Sequence, residues 1–242
     1  MLRVATLIPL MLVACVDTGD EGIYVLNNTA VSDACVLTGS PDQAMLGHGL
    51  VYYGSPTAYV LTPLIQSRIQ PVEGVDELSK TVQLRGADVT LTLKAISVDH
   101  PDGSVTVTQP EKQLTQFSTL FSGALAPAGS INAFVDVLPA ATMRQVAGES
   151  GADLAADSFN AEVLAEVVIR GDINGSTITS APYLYPITVC NDCVVSNLGA
   201  CPLPSGVDVR TGNGCNPFQD GVVDCCTDAD NRLVCPAATA SM

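Results

Sequence analysis

The residues with most chemistry to offer are the nine cysteines. Cys15 stands alone near the start. Cys35, Cys190, Cys193, Cys201, Cys215, Cys225, Cys226 and Cys235 make an even set of eight, seven of them from Cys190 onward. Thiols pair into disulfides, act as redox nucleophiles or ligate zinc, and spacing separates these roles. Cys190-Asn191-Asp192-Cys193 has the C-x-x-C spacing of redox dithiols and of half a zinc site. A redox pair needs a helix starting at the first thiol to lower its pKa, but Val194-Val195 and then Asn, Gly and Pro follow here. Zinc needs a second close pair; only Cys225-Cys226 offers itself, and both histidines lie far upstream. Structural disulfides are therefore the expectation, as befits a chain exported away from cytosolic reductants. Connectivity is not legible from spacing. Two constraints hold: adjacent Cys225 and Cys226 should bond different partners, and with all eight paired Cys35 either reaches the C-terminal cluster or leaves it an odd count.

Export is read from the N-terminus. Met1-Leu2-Arg3 supplies one positive charge, and Val4 to Val13 is apolar apart from Thr6 and Pro9. That run is too short to span a bilayer and long enough for the hydrophobic region of a signal peptide. It leads into Leu12-Val13-Ala14-Cys15, which resembles the lipobox of bacterial lipoproteins. The resemblance implies a signal peptide over 1–14, cleavage before Cys15, diacylglycerol on its sulfur and acylation of the new amino group. Several acyl chains hold a protein on a membrane far more firmly than one. Val16, not Asp, follows Cys15, which by the enteric sorting rule implies the outer membrane. Residues 15–22 form the lipidated cysteine and a polar tether, Asp17-Thr18-Gly19-Asp20-Glu21-Gly22.

Other chemistry is sparse. A Ser-His-Asp hydrolase needs a histidine beside an activated serine, and only His48 and His100 exist. His100 lies in a Pro-Asp-Gly turn and reads as an exposed loop residue; His48, in Leu46-Gly47-His48-Gly49-Leu50, is the better base by a small margin. The sequence has no G-x-S-x-G elbow, phosphate loop, H-E-x-x-H or dinucleotide fingerprint. With 25 acidic residues some carboxylate pair is always close, so an acid–base pair for sugar hydrolysis carries almost no weight. Asn216-Pro217-Phe218-Gln219-Asp220-Gly221-Val222-Val223-Asp224 resembles a calcium-binding acidic repeat of thrombospondin type 3. Asp220, Asp224, Asp228 and Asp230 would then offer oxygens to Ca2+. Only one copy is present and the Asp-x-Asp-x-Asp run is missing, so a disulfide-stapled polar loop is the plainer reading. An EF-hand fails, lacking Gly at the sixth position and a closing Glu.

The elements that must position these groups are mostly strands. Apolar residues make up 47% and aromatics 5%, with no Trp, so the core rests on Val, Leu, Ile and Ala. The formal net charge is −15, and loss of Arg3 makes it one unit more negative. Such a surface repels nucleic acid and anionic headgroups. Asp88 to Ala95 alternates, with Val89, Leu91, Leu93 and Ala95 inward. Ile96 and Val98 break that phase, predicting a bulge or an edge twist. The Asp99–Gly103 turn then leads to Ser104–Thr108 with Val105 and Val107 inward, closing a hairpin. Ile131, Ala133, Val135 and Val137 form another alternating face. Val163–Asp172 and Ser176–Ser180 read as a hairpin about Asn174-Gly175, a pair suited to a type I′ turn. Tyr183–Val189 is a further strand, placed at an edge or a bulge by Pro186. Glu111–Phe121, with Leu114, Phe117 and Phe121 three and four apart, and Pro139–Gly148 are predicted as short helices.

These elements predict a mainly β fold, an antiparallel β-sandwich that is immunoglobulin-like in the loose sense, over 23–189. Short helices cross it, and a disulfide-rich segment follows over 190–242. The chain also resembles a loose set of cysteine-rich lipoproteins of myxobacteria and relatives. The likeness rests on the lipobox, Tyr185-Pro186-Ile187-Thr188-Val189-Cys190, and Gly214-Cys215-Asn216-Pro217 leading to Asp224-Cys225-Cys226; it implies no activity. The expectation is a lipid-anchored cell-envelope protein, a non-enzymatic binding or structural module without cofactor, whose partners are the membrane, an envelope protein or a polysaccharide, but not nucleic acid. The rival readings are a calcium-stabilised adhesion or envelope-assembly subunit, and a carboxylate- or metal-dependent hydrolase.

Overall fold

The computed structural model describes residues 22–32, 34–37, 42–71, 73–74 and 77–239. The expected signal peptide, Cys15 and all of the tether but Gly22 lie outside them. The chain forms β1 (Ile23–Asn28), β2 (Gly49–Tyr52), β3 (Tyr59–Leu61) and β4 (Pro63–Ser67), then the long β5 (Val82–Asp99). Next come β6 (Val105–Thr108), β7 (Lys112–Thr119), β8 (Gly123–Leu125), β9 (Ser130–Asn132) and β10 (Val135–Leu138). Helix α1 (Ala140–Ser150) precedes β11 (Ser158–Ile173), β12 (Ser176–Thr179) and β13 (Tyr183–Cys190). The cysteine-rich segment adds β14 (Val195–Ala200), β15 (Val223–Thr227) and β16 (Leu233–Val234).

The result is a mainly β, sandwich-like fold. Its large sheet has the order β2-β13-β11-β5, with β6, β7 and β8 in succession along the far side of β5 and β12 beside β11. Opposite it stand β1-β4-β9 and β10-β3, and α1 lays Met143, Val146 and Ala147 on the same core. Alternation dictates which faces are buried. Val89, Leu91 and Leu93 of β5, Val163, Ala165 and Val167 of β11, and Ile187 and Val189 of β13 are fully buried and share one cluster with Ile23, Ile65, Leu61 and Val135. A strand periodicity of two puts every second side chain there. Two ladders are parallel, β2 with β13 and β14 with β15.

Several expectations hold in detail. The hairpin about Asn174-Gly175 closes Ile173 onto Ser176, with both turn residues at positive φ (50° and 80°). The strand expected at an edge or a bulge because of Pro186, β13, instead lies inside the large sheet between β11 and β2. Pro186 pairs with Leu164 just short of the β2 ladder, which begins at Ile187, so its missing N–H costs no bond there. The phase break in β5 is a bulge: Lys94 is the extra residue between Leu93↔Val163 and Ala95↔Glu162. Consequently Ala95 faces outward with Glu162.

Further expectations are corrected. Glu111–Phe121 is not a helix, because Lys112–Thr119 pairs along β5 as β7. Leu114 is bulged out between Gln113↔Thr92 and Thr115↔Leu91, and one extra residue flips the alternation. Leu114 and Phe117, three apart, thereby both reach the core as they would on a helix. Val105 and Val107 do not point inward: they pair with Asp99 and Ser97 on the outer face and are 58% and 62% exposed. The second expected helix stands as α1, with Pro139 extended just ahead of it and Gly151 closing it at φ 66°.

Candidate functional site

All eight C-terminal and upstream cysteines are paired: Cys35–Cys215, Cys190–Cys193, Cys201–Cys226 and Cys225–Cys235, with Cα atoms 4.8, 5.8, 5.2 and 4.4 Å apart. Cys35 reaches the cluster, and the adjacent Cys225 and Cys226 go to different partners. The last two bridges staple β14–β16 around Leu203, Cys226 and Ala237. The Cys35–Cys215 bridge instead pins the segment onto the start of the sandwich, beside a loop that enters it.

That loop, Asn216–Asp220, lies along β2 and fills the β2 edge opposite β13. Tyr52 N–H donates to the Phe218 carbonyl (3.0 Å) and Asp220 N–H to the Leu50 carbonyl (2.9 Å). Its side chains act as a third strand toward β3: the Gln219 amide donates to Val60 O (3.1 Å) and accepts from Val60 N–H (2.9 Å). Asn216 Nδ2 donates to Ala58 O at 3.0 Å. A strand edge left inside a fold must be satisfied somewhere, and two primary amides copy the peptide group's donor–acceptor pair.

Asp220 stands at the centre of this seam. Its Oδ1 accepts from Leu50 N–H at 2.9 Å, and its Oδ2 from the Tyr59 hydroxyl at 2.8 Å and Gln219 Nε2 at 3.2 Å. The Tyr59 hydroxyl lies 3.2 Å from that of Tyr185. Tyr185 in turn bonds the Asn28 side chain, whose Oδ1 accepts from Thr62 N–H at 2.8 Å. Burial pushes the Asp220 carboxyl above its ordinary range, while the Leu50, Tyr59 and Gln219 donors pull it back. Burial likewise holds the Tyr185 phenol up at about 12 and pushes Tyr59 well above its ordinary value. Both phenols therefore remain protonated donors at neutral pH. Tyr59 is fully buried and Tyr185 nearly so. The chain of carboxylate, two phenols and amide has the parts of an acid–base relay, but it is closed on itself and serves as a clasp between the two parts of the protein.

The four aspartates proposed for calcium are not gathered. Asp220 is in the clasp. Asp224 is gripped by Arg210, Nη2 to Oδ1 at 2.6 Å and Nε to Oδ2 at 3.0 Å, which holds its carboxyl down at about 2. Asp228 accepts from the N–H groups of Asp230 (2.9 Å) and Arg232 (2.8 Å), and Arg232 Nη2 also meets Asp230 Oδ2 at 2.9 Å. Arginines thus neutralise three of the four. Among the described residues no three His, Cys, Asp or Glu side chains come close enough to hold a metal.

His48 is exposed, with Nε2 3.0 Å from Thr188 Oγ1. His100 is not a free loop residue: Nδ1 is 3.0 Å from Asp157 Oδ1 and Nε2 3.2 Å from Thr106 Oγ1. This Asp–His–Thr order ties the β5–β6 turn to the loop before β11. Sequence reasoning missed it, and it missed Asn28, Tyr59, Tyr185, Asn216 and Gln219. One signal was readable: Tyr185 falls in the inward phase with Ile187 and Val189, and a buried Tyr hydroxyl needs a partner.

No protein-family model and no curated protein matches the chain. Among solved structures it is similar to a crystal structure of a protein from Archaeoglobus fulgidus, at 8% identity and TM-score 0.33, over 55% of this chain and 86% of that one. It is also similar to Spo0M, a sporulation control protein from Bacillus subtilis, at 11% identity and TM-score 0.21, over 59% and 50%. At these TM-scores neither likeness carries an argument.

Proposed function

We propose that this is a lipid-anchored cell-envelope protein acting as a non-enzymatic binding or structural module, held by Cys15 on the outer membrane. The observation that carries the reading is the seam. Its buried titratable group, Asp220, and its tyrosines spend their hydrogen bonds on joining the sandwich to a segment with three internal disulfides and a fourth that pins it to the sandwich. Disulfides at this density belong to oxidising compartments. The outer face of the large sheet offers Thr90, Thr92, Glu162, Glu166 and Thr188, a polar row suited to an envelope protein or polysaccharide. The test is the intact mass of protein purified from membranes, with and without reductant. Cleavage before Cys15 plus acyl chains, and a gain of one hydrogen per remaining cysteine on reduction, supports it. A mature chain that starts elsewhere without lipid sinks the anchor.

The hydrolase reading has one observation in its favour, the Asp157–His100–Thr106 chain. An ester hydrolysis that the protein performs and Thr106→Ala abolishes would replace the non-enzymatic reading.

A further inference from the structure

The strands give the sandwich two distinct ends. At one, Gly22 enters β1: its carbonyl accepts from Arg68 N–H, Ile23 pairs with Ser67, and Ile69 O receives Ala128 N–H. The start of β5, the end of β8 and the Ile173–Ser176 turn share this end, since Val82 pairs with Leu125 and Gln83 with Asp172. At the other end lie the β5–β6 turn, the loop before β11 and the Asn191–Cys193 loop, since Ser158 pairs with Asp99 and Asn160 with Cys190. β5 alone, 18 residues long, spans roughly 60 Å between them.

The two ends differ in charge. Both expose apolar side chains, Val105 (58%) and Val107 (62%) near the acidic end and two still more exposed leucines at the other. The far end carries Asp99, Asp102, Asp153, Asp157 and Asp192, with no Lys or Arg in stretches 99–104, 151–158 and 190–194. The stretch 68–85, which feeds the Gly22 end, has Arg68, Lys80 and Arg85 against Glu73, Asp76 and Glu77, and Asp172 at this end is paired to Arg85 at 2.8 Å. The tether adds Asp17, Asp20 and Glu21. The acids here are thus partly offset by cations, as those of the far end are not. Among the described residues, the two most exposed large hydrophobic ones are Leu120 (83%) and Leu78 (79%). Leu78 lies on the connection entering β5. Leu120 lies on the β7–β8 connection, where its Cα would be 3.2 Å from a Cβ at Gly86, one residue past Arg85. Both belong to the corner of the Gly22 end that carries β8.

We propose that this corner is a membrane-contact surface, with Leu78 and Leu120 seated at the boundary between lipid headgroups and acyl chains and the acidic end turned away. The proposal rests on the lipid-anchored reading above. Only residues 16–21 separate Cys15 from Gly22, and however they are arranged their reach is at most about 25 Å. An anchored molecule therefore keeps its Gly22 end near the bilayer. Anionic headgroups repel the five aspartates of the far end, which favours the upright pose. Exposed leucines cost free energy in water and lose that cost in the interface.

The chain has no Trp, so single tryptophans report position without interference. Full-length, lipid-bearing Leu78→Trp, Leu120→Trp and Val107→Trp proteins are reconstituted in phosphatidylethanolamine–phosphatidylglycerol vesicles with brominated or ordinary acyl chains. Interfacial depth predicts that brominated lipid at least about halves the emission at 78 and 120. It should leave 107, near the acidic end, within about a tenth of its value. Equal quenching at 78 and 107, or none at 78, in protein that floats with the vesicles overturns the proposal and leaves the anchor standing. In the Leu78→Trp protein, shielding of the indole that rises with protein concentration in the absence of lipid also overturns it, in favour of a second copy. Protein that does not float at all removes the anchor, and this proposal with it.

Discussion

The Tyr59 hydroxyl donates to Asp220 Oδ2 at 2.8 Å across 161 positions of sequence, joining the third strand of the sandwich to the cysteine-rich segment. That bond and the Leu50 N–H bond to the same carboxylate are the polar heart of the seam.

Asp220→Ala should strand the Leu50 N–H and the Tyr59 hydroxyl in a buried setting. At about 1–3 kcal/mol for each of the two orphaned groups, unfolding in denaturant should report a loss of roughly 2–6 kcal/mol. Asp220→Asn keeps an acceptor for Leu50 and should lose less. Equal losses for the two variants would mean that the hydrogen bonds are not what holds the loop.

Asp220 and Asp224 lie four residues apart and should give opposite pH slopes. Arg210 holds Asp224 down at about 2, below the ordinary carboxyl value. Its contribution is complete above that ordinary value and lost as pH falls from about 4 to about 2. Asp224→Asn should flatten this acid limb. Asp220 is pushed up by burial, so the fold binds its proton more tightly than the unfolded chain does. Its contribution therefore falls as pH rises through the folded value, and Asp220→Asn should remove that decline. Stability measured against pH for both variants checks the two signs.

The Cys35–Cys215 bridge closes a loop of 180 positions. Replacing both cysteines with Ala should cost about 2–5 kcal/mol and make the 213–220 loop the first site cut by protease under native conditions. If the loop stays protected while global stability drops, the bridge acts on the unfolded chain alone and the clasp needs no pin.

Gly49 is required by contact rather than by turn geometry. A Cβ there would sit 2.6 Å from the Tyr59 hydroxyl oxygen and 2.7 Å from its ring carbon. Gly49→Ala should push Tyr59 off Asp220 and destabilise by about 1–3 kcal/mol. In a double-mutant cycle with Tyr59→Phe the two losses should fall short of additivity by more than about 0.5 kcal/mol, because both disrupt one bond. Strict additivity would show that the two residues act separately.

The sequence by itself determined whatever depends on short-range pattern. Alternation in Val89–Leu93 and Val163–Val167 named the buried faces, because a strand's side chains repeat every two residues. Asn174-Gly175 named its turn, because few residues accept two successive positive φ values. An even set of cysteines, seven of them clustered, announced a stapled segment. Only the tertiary structure decided what depends on partners far along the chain. Leu114 and Phe117 mimic a helix until β5 supplies the ladder in which one extra residue restores their common face. Val105 and Val107 take the outer face because pairing with Asp99 and Ser97 sets their register. Asp220 read as a candidate calcium ligand in a disulfide-stapled polar loop, since nothing within its own loop supplies the Tyr59 and Leu50 donors that hold it. Spacing constrains only near neighbours, whereas burial and hydrogen-bond partners belong to whichever segments the fold brings together.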